Sequence, residues 1–400
     1  MKAGWLIKPL GDVCDYQRGL TYTKTDEVDV SENVVLRATN IDLTTNLLDL
    51  GELKYINEKV IVPDGKKVKA GSLIICTASG SKSHLGKVAY IDDDYGYAFG
   101  GFMGMVTPNK ELNSKFLFHL MTSPAYKDFI AAVSDGANIN NLKFDDLRQF
   151  EIPLPPLPEQ QRIVTLLDEA FDGIATAKAH AEKILQNARA IFESHLQSVF
   201  AQQGDGWVST TIGNSCVLRS GTTVPVSIEK SSGDIPYVKV AEMTLPDNQD
   251  GITTSIRFLN RADVKAGWLI PAGAVIFPKR GGAILTNKKR LALVDLCADL
   301  NIMSVIPTEK LTPEFLYFYF LTVDMRKLGT GSSIPQINNY DIAPLEIAFP
   351  ESTLKQAEIA ESIRTLETEC QALESVYQRK LTALDDLKKS LLHQAFAGLL

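Results

Sequence analysis

The stretch WLIKPLGDVCDYQRG at residues 5–19 is answered by WVSTTIGNSCVLRSG at residues 207–221. Trp5, Gly11, Cys14 and Gly19 recur as Trp207, Gly213, Cys216 and Gly221, all at one interval. Such self-similarity marks a duplicated structural unit, here far longer than the roughly 20 to 50 residues of a solenoid repeat. Further matches follow once small insertions are allowed. Ala70-Gly71-Ser72-Leu73-Ile74 answers Ala272-Gly273-Ala274-Val275-Ile276, Val88 to Asp92 answers Leu291 to Asp295, and Leu112 to Leu117 answers Leu311 to Leu316. Gly136, Ile139 and Pro153-Leu154-Pro155 are matched by Gly331, Ile334 and Phe349-Pro350. A chain built twice predicts a function with two sites.

Between and after the repeats lie two segments of another texture. The first opens at Pro155-Pro156-Leu157-Pro158 and runs without another proline to Gln203, where Gly204-Asp205-Gly206 stops it. Proline fits the first turn of a helix and glycine its end. Ile163, Leu167, Ala170, Ile174, Ala177, Ala181, Ile184, Ala188 and Ile191 alternate by four and three, which is a heptad seam. The second begins after Pro350, where Thr353 and Gln356 have capping-box spacing. Its seam is Ile359, Ile363, Leu366, Cys370, Leu373, Tyr377, then Lys380 as one interruption, then Leu384, Leu387 and Leu391. The alanines of one seam suit the larger side chains of the other.

The repeats themselves carry short apolar runs bounded by Gly, Pro or Asp, including Val34-Val35-Leu36, Leu73-Ile74-Ile75, Tyr237 to Val240 and Ala274 to Phe277. These read as strands. The expected fold class is α+β: mixed domains at 1–155 and 205–350, with long helices at 156–204 and 351–400. If the second domain's termini lie close together, the helices run antiparallel as a coiled coil, and a pseudo-twofold relates the halves.

Bulk properties narrow the function. The 400 residues carry a net charge of -7, and no segment is strongly basic, so contacts with nucleic acid must come from local clusters. No apolar run has the length of a membrane span, and Gly4, Lys8 and Pro9 interrupt any signal-peptide core. A cytoplasmic protein with no membrane partner is expected. Five scattered cysteines without a C-x-x-C predict free thiols.

Catalytic motifs are scarce. Phe99-Gly100-Gly101-Phe102-Met103-Gly104 lacks G-x-G-x-x-G spacing and reads as a packed strand. The five histidines form no metal-spaced pair, Asp92-Asp93-Asp94 reads as a charged turn, and neither a P-loop nor an N/D-P-P-Y/F tetrapeptide is present. No catalytic, metal or cofactor site is expected. The polar loops after the repeated A-G-x-x-I strand are more informative: Thr77 to His84 with Ser79, Lys82 and His84, and Pro278 to Gly282 with Lys279 and Arg280, followed by Asn287-Lys288-Lys289-Arg290. Such loops either set cations on phosphates and base edges or are solvated hairpins. Arg37 and Asn40, and Lys239 in the matching segment, share that ambiguity.

The run Ile152-Pro153-Leu154-Pro155-Pro156-Leu157-Pro158-Glu159-Gln160-Gln161-Arg162-Ile163-Val164 resembles the entrance to the conserved helix of specificity subunits of type I restriction-modification systems. Phe192 to Phe200 and Lys389 to Gly398 resemble that family's helix ends, and the likeness extends over the whole chain. Pro350 to Ala360 keeps only part of the entrance motif.

The resemblance implies two target-recognition domains, each reading half of a split, asymmetric site in double-stranded DNA. It implies antiparallel helices that set the gap and carry two methyltransferase subunits and, through them, restriction subunits. S-adenosylmethionine and ATP with magnesium would belong to those partners, with no cofactor in this chain. The expected DNA-binding residues are Arg37, Asn40, Ser79, Lys82, His84, Lys239, Lys279, Arg280, Lys288 and Arg290. The expected helix and partner-binding residues are Ile163, Leu167, Ile174, Ile184, Ile191, Ile359, Ile363, Leu366, Leu373, Leu384, Leu387 and Leu391. Two alternatives stay open: the recognition part of a combined restriction-modification enzyme, and a coiled-coil adaptor without a DNA role.

Overall fold

The computed structural model describes residues 4–80, 84–135, 141–202, 204–328 and 335–400. Lys82 and the repeat residues Gly136, Ile139, Gly331 and Ile334 lie outside the described residues. The chain divides into two units, Met1–Glu182 with Arg379–Leu400, and Lys183–Gln378.

In the first unit Leu6–Pro9 pairs antiparallel with Glu151–Leu154, so the domain's chain enters and leaves side by side. Two four-stranded sheets lie between. One has the order Cys14–Arg18, Met103–Pro108, Leu73–Cys76, Val88–Tyr90; the other has Glu27–Val28, Lys54–Ile56, Asn33–Leu36, Ala98–Phe99. The second unit repeats this plan. Trp207–Thr211 pairs with Glu346–Pro350, and the first sheet is Cys216–Ser220, Ile302–Pro307, Val275–Pro278, Arg290–Leu291. Its other sheet is Phe258–Leu259, Ile235–Val238, Leu296–Ala298, Leu269–Ile270. The duplication in the sequence is thus a duplication of the fold.

The repeated residues have structural reasons. A Cβ at Gly19 would run into the carbonyl of Gly100, and one at Gly221 into that of Asp299, so only glycine allows the two chain segments to meet. Cys14 and Cys216 are buried in the main core of their own unit, where Trp5 is buried and Trp207 packs alongside. The described cysteines are free thiols, four of them buried.

One correspondence needs correction. Leu73 pairs with Tyr90 and Val275 with Leu291, and the Ala70 and Ala272 N–H groups donate to Asp94 and Asp295 at 2.7 and 3.0 Å. Tyr90, not Val88, therefore matches Leu291. A slip of two residues keeps every side chain on its face, so apolar patterning alone could not detect it.

The long helices are Leu157–Ala201 and Thr353–Ala397, each 45 residues and therefore about 68 Å long. In the first unit the early part of one lies against the late part of the other. Arg162 donates to the Leu400 carbonyl at 2.9 Å, and Lys178 meets Asp385 at 2.7 Å. In the second unit Arg189 meets Glu374 at 3.1 Å. Both pairings are antiparallel.

The seams differ from the sequence expectation at three named positions. On the first helix Ile163, Leu167 and Ile174 are buried and Ile184 is half-buried, but Ile191 is 57% exposed and Phe192 and Leu196 turn inward. A helix of 3.6 residues per turn drifts from a 3.5-residue repeat, and the seam takes up the drift there. On the second helix Ile363 is buried, and Ile359, Leu366, Leu384 and Leu391 are half-buried. Leu373 and Leu387 are 41% and 46% exposed, while Glu374, Leu381 and Lys388 point inward. The same drift shifts this seam by one residue, and Leu381 fills the place assigned to Lys380. Gln356 is also not part of a capping box: its side chain hydrogen-bonds to Thr312, Lys310 and Pro350.

Candidate nucleic-acid interface

The two loops that follow the repeated A-G-x-x-I strand have one backbone frame. Thr77 N–H donates to the Phe102 carbonyl at 2.9 Å and Lys279 N–H to that of Asn301 at 2.8 Å. The Thr77 carbonyl accepts from Leu142 N–H at 2.7 Å, and the Lys279 carbonyl from Ile337 N–H at 2.9 Å. Thr77 is therefore the counterpart of Lys279, and Ala78 of Arg280. All four bonds are between backbone groups, so the frame leaves the side chains free to differ.

They do differ. Arg280 is exposed, and its side chain makes no hydrogen bond or ion pair among the described residues. Lys279 beside it is 7% exposed, with Nζ donating to Ser220 Oγ at 2.7 Å. Burial, then the Arg280 charge, lowers its pKa. Lys279 is thus corrected from a reader to an anchor of its own loop. In the first unit's loop Ser79 and His84 are half-buried.

The far end of the second loop has its own tether. Lys289 is 3% exposed and donates to Asn287 Oδ1 at 2.9 Å and to the Val323 carbonyl at 2.6 Å. Burial lowers its pKa to about 8. The sequence places Lys289 in the polar run but does not show its burial, because its partner carbonyl is remote in the chain. Lys288 is half-buried, and burial followed by the Arg290 charge lowers its pKa. Arg290 donates to the carbonyls of Asn248 and Lys289 at 3.0 and 2.9 Å, so it too is a brace. Lys87, which sequence reasoning missed, is 9% exposed and donates to the Ile41 carbonyl at 3.0 Å.

A second pair of segments repeats the pattern. Arg37 N–H donates to Asn40 Oδ1 and Lys239 N–H to Glu242 Oε2, each at 2.9 Å, closing equivalent turns. Asn40 is 2% exposed and donates to the carbonyls of Asp49 and Glu52, so it staples a loop and has no hydrogen left for a base. Lys239 Nζ lies 3.1 Å from Glu229, which also faces Arg257, and Arg257 pairs with the buried Glu242. Lys239 is tied into this internal network, with a third of its side chain still exposed. Arg37 keeps a buried Nε without a hydrogen-bond partner among the described residues. Of the expected readers, Arg280, Lys288, Arg37, Lys239, Ser79 and His84 remain as candidates. Among the described residues no His, Cys, Asp or Glu cluster could hold a metal ion, and no helix is long and apolar enough to cross a membrane.

Two copies of one domain, each presenting different side chains on a shared loop frame and each joined to a long helix, define a two-domain recognition protein. The profile of the type I restriction modification DNA specificity domain matches residues 2–186 and 204–383. The chain belongs to this family of DNA specificity subunits. It is 26% identical to the type I restriction enzyme EcoKI specificity subunit of Escherichia coli K12, over 99% of this chain and 89% of that protein. Identity to the StySPI specificity subunit of Salmonella potsdam is also 26%, with the same coverage. The fold is similar to a chain from a solved type I restriction-modification complex, with a TM-score of 0.82 at 19% identity, covering 100% of this chain and 99% of that one. It also resembles the HsdS subunit of Thermoanaerobacter tengcongensis, with a TM-score of 0.64 at 19% identity, covering 100% of this chain and 98% of that one.

Proposed function

We propose that the chain reads a bipartite, asymmetric target in double-stranded DNA, one half-site with each domain. The observation that carries this reading is the shared loop frame: Thr77 and Lys279 make the same backbone bonds while the side chains around them differ. Equal frames give equal approach to DNA, and unequal side chains give unequal base preference. The long helices fix the spacer between half-sites. They also carry two methyltransferase subunits and, through these, restriction subunits, in the cytoplasm.

The chain itself is non-catalytic in this reading. S-adenosylmethionine and ATP with magnesium are bound by the partners. The net charge of -7 fits a reader whose phosphate contacts are shared with partner subunits, because counterion release scales with the phosphates neutralised by the whole assembly. Mapping of methylated adenines in cells with and without this gene tests the proposal. A two-part motif with one spacer, lost on deletion, is expected; an unchanged methylation pattern overturns it, and so does transfer of a labelled methyl group by the purified chain alone.

A further inference from the structure

The fourth residue of each long helix is a glutamine, and both are completely buried: Gln160 and Gln356 are 0% exposed. Each makes the same three hydrogen bonds. Gln160 Oε1 accepts from Asn113 N–H at 2.7 Å, and Nε2 donates to the carbonyls of Glu111 and Pro155 at 2.9 and 2.8 Å. Gln356 Oε1 accepts from Thr312 N–H, and Nε2 donates to the carbonyls of Lys310 and Pro350, all at 2.8 Å. Each amide therefore joins three chain segments: the domain's exit strand, the turn before a short buried helix (Ser114–Leu120 in the first unit, Pro313–Thr322 in the second), and the first turn of the long helix.

Every partner of these amides is a backbone group. Both hydrogens and the oxygen are used, so the side chain has one satisfied orientation in its pocket, and a rotated or tilted helix would leave buried polar groups unpaired. Backbone partners are also indifferent to the domain's surface residues. The joint can thus stay constant while the reading loops change.

We propose that Gln160 and Gln356 are positioning residues that lock each domain to its long helix at one setting and so confine recognition to a single half-site spacing. The inference rests on the bipartite reading above. A small tilt at the base of a helix grows with distance along it, so loosening either joint admits spacers one base pair longer or shorter.

Gln160→Met and Gln356→Met keep the side chain's length and remove all three bonds. The joint is read first without DNA. In a Cys370→Ser background, spin labels at exposed Val30 and Glu169 report the distance between the first domain and its helix. Gln160→Met is expected to at least double the width of that distance distribution; an unchanged width overturns the lock. Spacing is then read with the chain assembled with its methyltransferase subunits, on DNA whose half-sites are fixed and whose spacer varies.

Methylation at the neighbouring spacers, relative to the native one, is expected to rise at least tenfold in either variant, with the half-site sequences unchanged. Ile130→Val, a core change away from the joint, should leave the profile alone, and Gln356→Asn, which keeps a shortened amide, should fall between. A widened joint with a spacer profile within twofold of the unsubstituted protein overturns the link to spacing. Absence of any two-part preference in the unsubstituted protein overturns the bipartite reading instead, and this inference with it.

Discussion

The two joints between domain and helix share the buried glutamine and differ in almost every charge around it. In the first unit His119 Nε2 lies 2.7 Å from Asp168 Oδ1, and Lys115 lies 2.8 Å from Oδ2. At the matching positions the second unit has Phe318, Arg364 and Glu314. Arg364 stacks over Phe318 at 5.1 Å and meets Glu367 at 3.4 Å. A cation on the domain and a carboxylate on the helix have become a carboxylate on the domain and a cation on the helix. Contacts made to backbone are kept through duplication because any sequence supplies a backbone, whereas side-chain contacts survive only as matched sets. The set, and not the single residue, is the unit of divergence.

The largest expected effect tests that statement. Asp168 is the only hydrogen-bond partner of the His119 ring among the described residues, and His119 Nδ1 has none. Asp168→Arg leaves the buried His119 ring unpaired and places a like charge beside Lys115, which should destabilise the first unit by roughly 2 to 3 kcal/mol. Adding Lys115→Glu and His119→Phe supplies the second unit's residues at these three positions, and should restore part of the loss, since residues in contact couple. Urea unfolding with hydrogen exchange in the first unit measures both. A triple variant no more stable than Asp168→Arg would show that the sets are not interchangeable.

Next in size is the contrast between neighbouring cations on one loop. Arg280→Ala is expected to lower discrimination at one half-site by about 2 kcal/mol with the fold intact, the usual worth of a bidentate base contact. Lys279→Ala should instead lower the unfolding midpoint, because it leaves the Ser220 hydroxyl and a closely packed pocket without their partner. Equal effects of the two substitutions on DNA discrimination, with no change in stability, would return Lys279 to the readers.

The joints should also respond to pH differently. Burial lowers the His119 pKa, against the pull of Asp168. For Asp168, burial acts upward, but the hydrogen bonds from Lys115 and His119 outweigh it and lower the pKa. Both shifts give stability that is present above the unfolded pKa and lost as pH falls, for His119 from about 6.5 downward. Glu367 in the second joint is raised by burial and then by Asp250, against Arg364 and Arg290. Its contribution is present at low pH and lost as pH rises through the folded pKa. Unit-resolved hydrogen exchange between pH 7.5 and 5.5 should show protection falling at the first joint and holding at the second; a parallel fall at both would contradict the assignment.

Sequence reading reached the duplication, the strands and the long helices because each repeats a local pattern. Gly19 and Gly221 were legible as a repeat, though the colliding carbonyls of Gly100 and Asp299 were not. Roles of charged residues were the least legible. Lys279 and Arg280 are adjacent and look alike, yet one finds Ser220 across the sheet and the other faces out. Asn40 and Arg290 have base-reading chemistry but meet backbone carbonyls first. A long side chain's role is decided by neighbours remote in sequence, and no local pattern carries that information. The spacing of Gln160 and Gln356 after a proline exit was visible, while their burial was not.

The helical seams give the smallest expected effect and the sharpest test of register. By the sequence pattern Leu373 and Leu387 belong in the seam; in the fold they are 41% and 46% exposed, and Glu374, Leu381 and Lys388 face inward. Leu373→Gln and Leu387→Gln should change stability by no more than about 0.5 kcal/mol, as surface substitutions do. Ile363→Ala, at a fully buried position, should cost roughly 2 to 5 kcal/mol. If Leu373→Gln costs as much as Ile363→Ala in urea unfolding, the heptad register of the sequence holds and the fold's does not. The exposed leucines still have work under the proposed function. With Ile191 they are large apolar side chains turned outward on the helices proposed to carry partner subunits, and burying such surface against a partner favours association. Co-purification of the methyltransferase subunit with Ile191→Gln, Leu373→Gln and Leu387→Gln should therefore weaken while the unfolding curve stays put. Undiminished capture by all three variants would place the partner on another face of the helices.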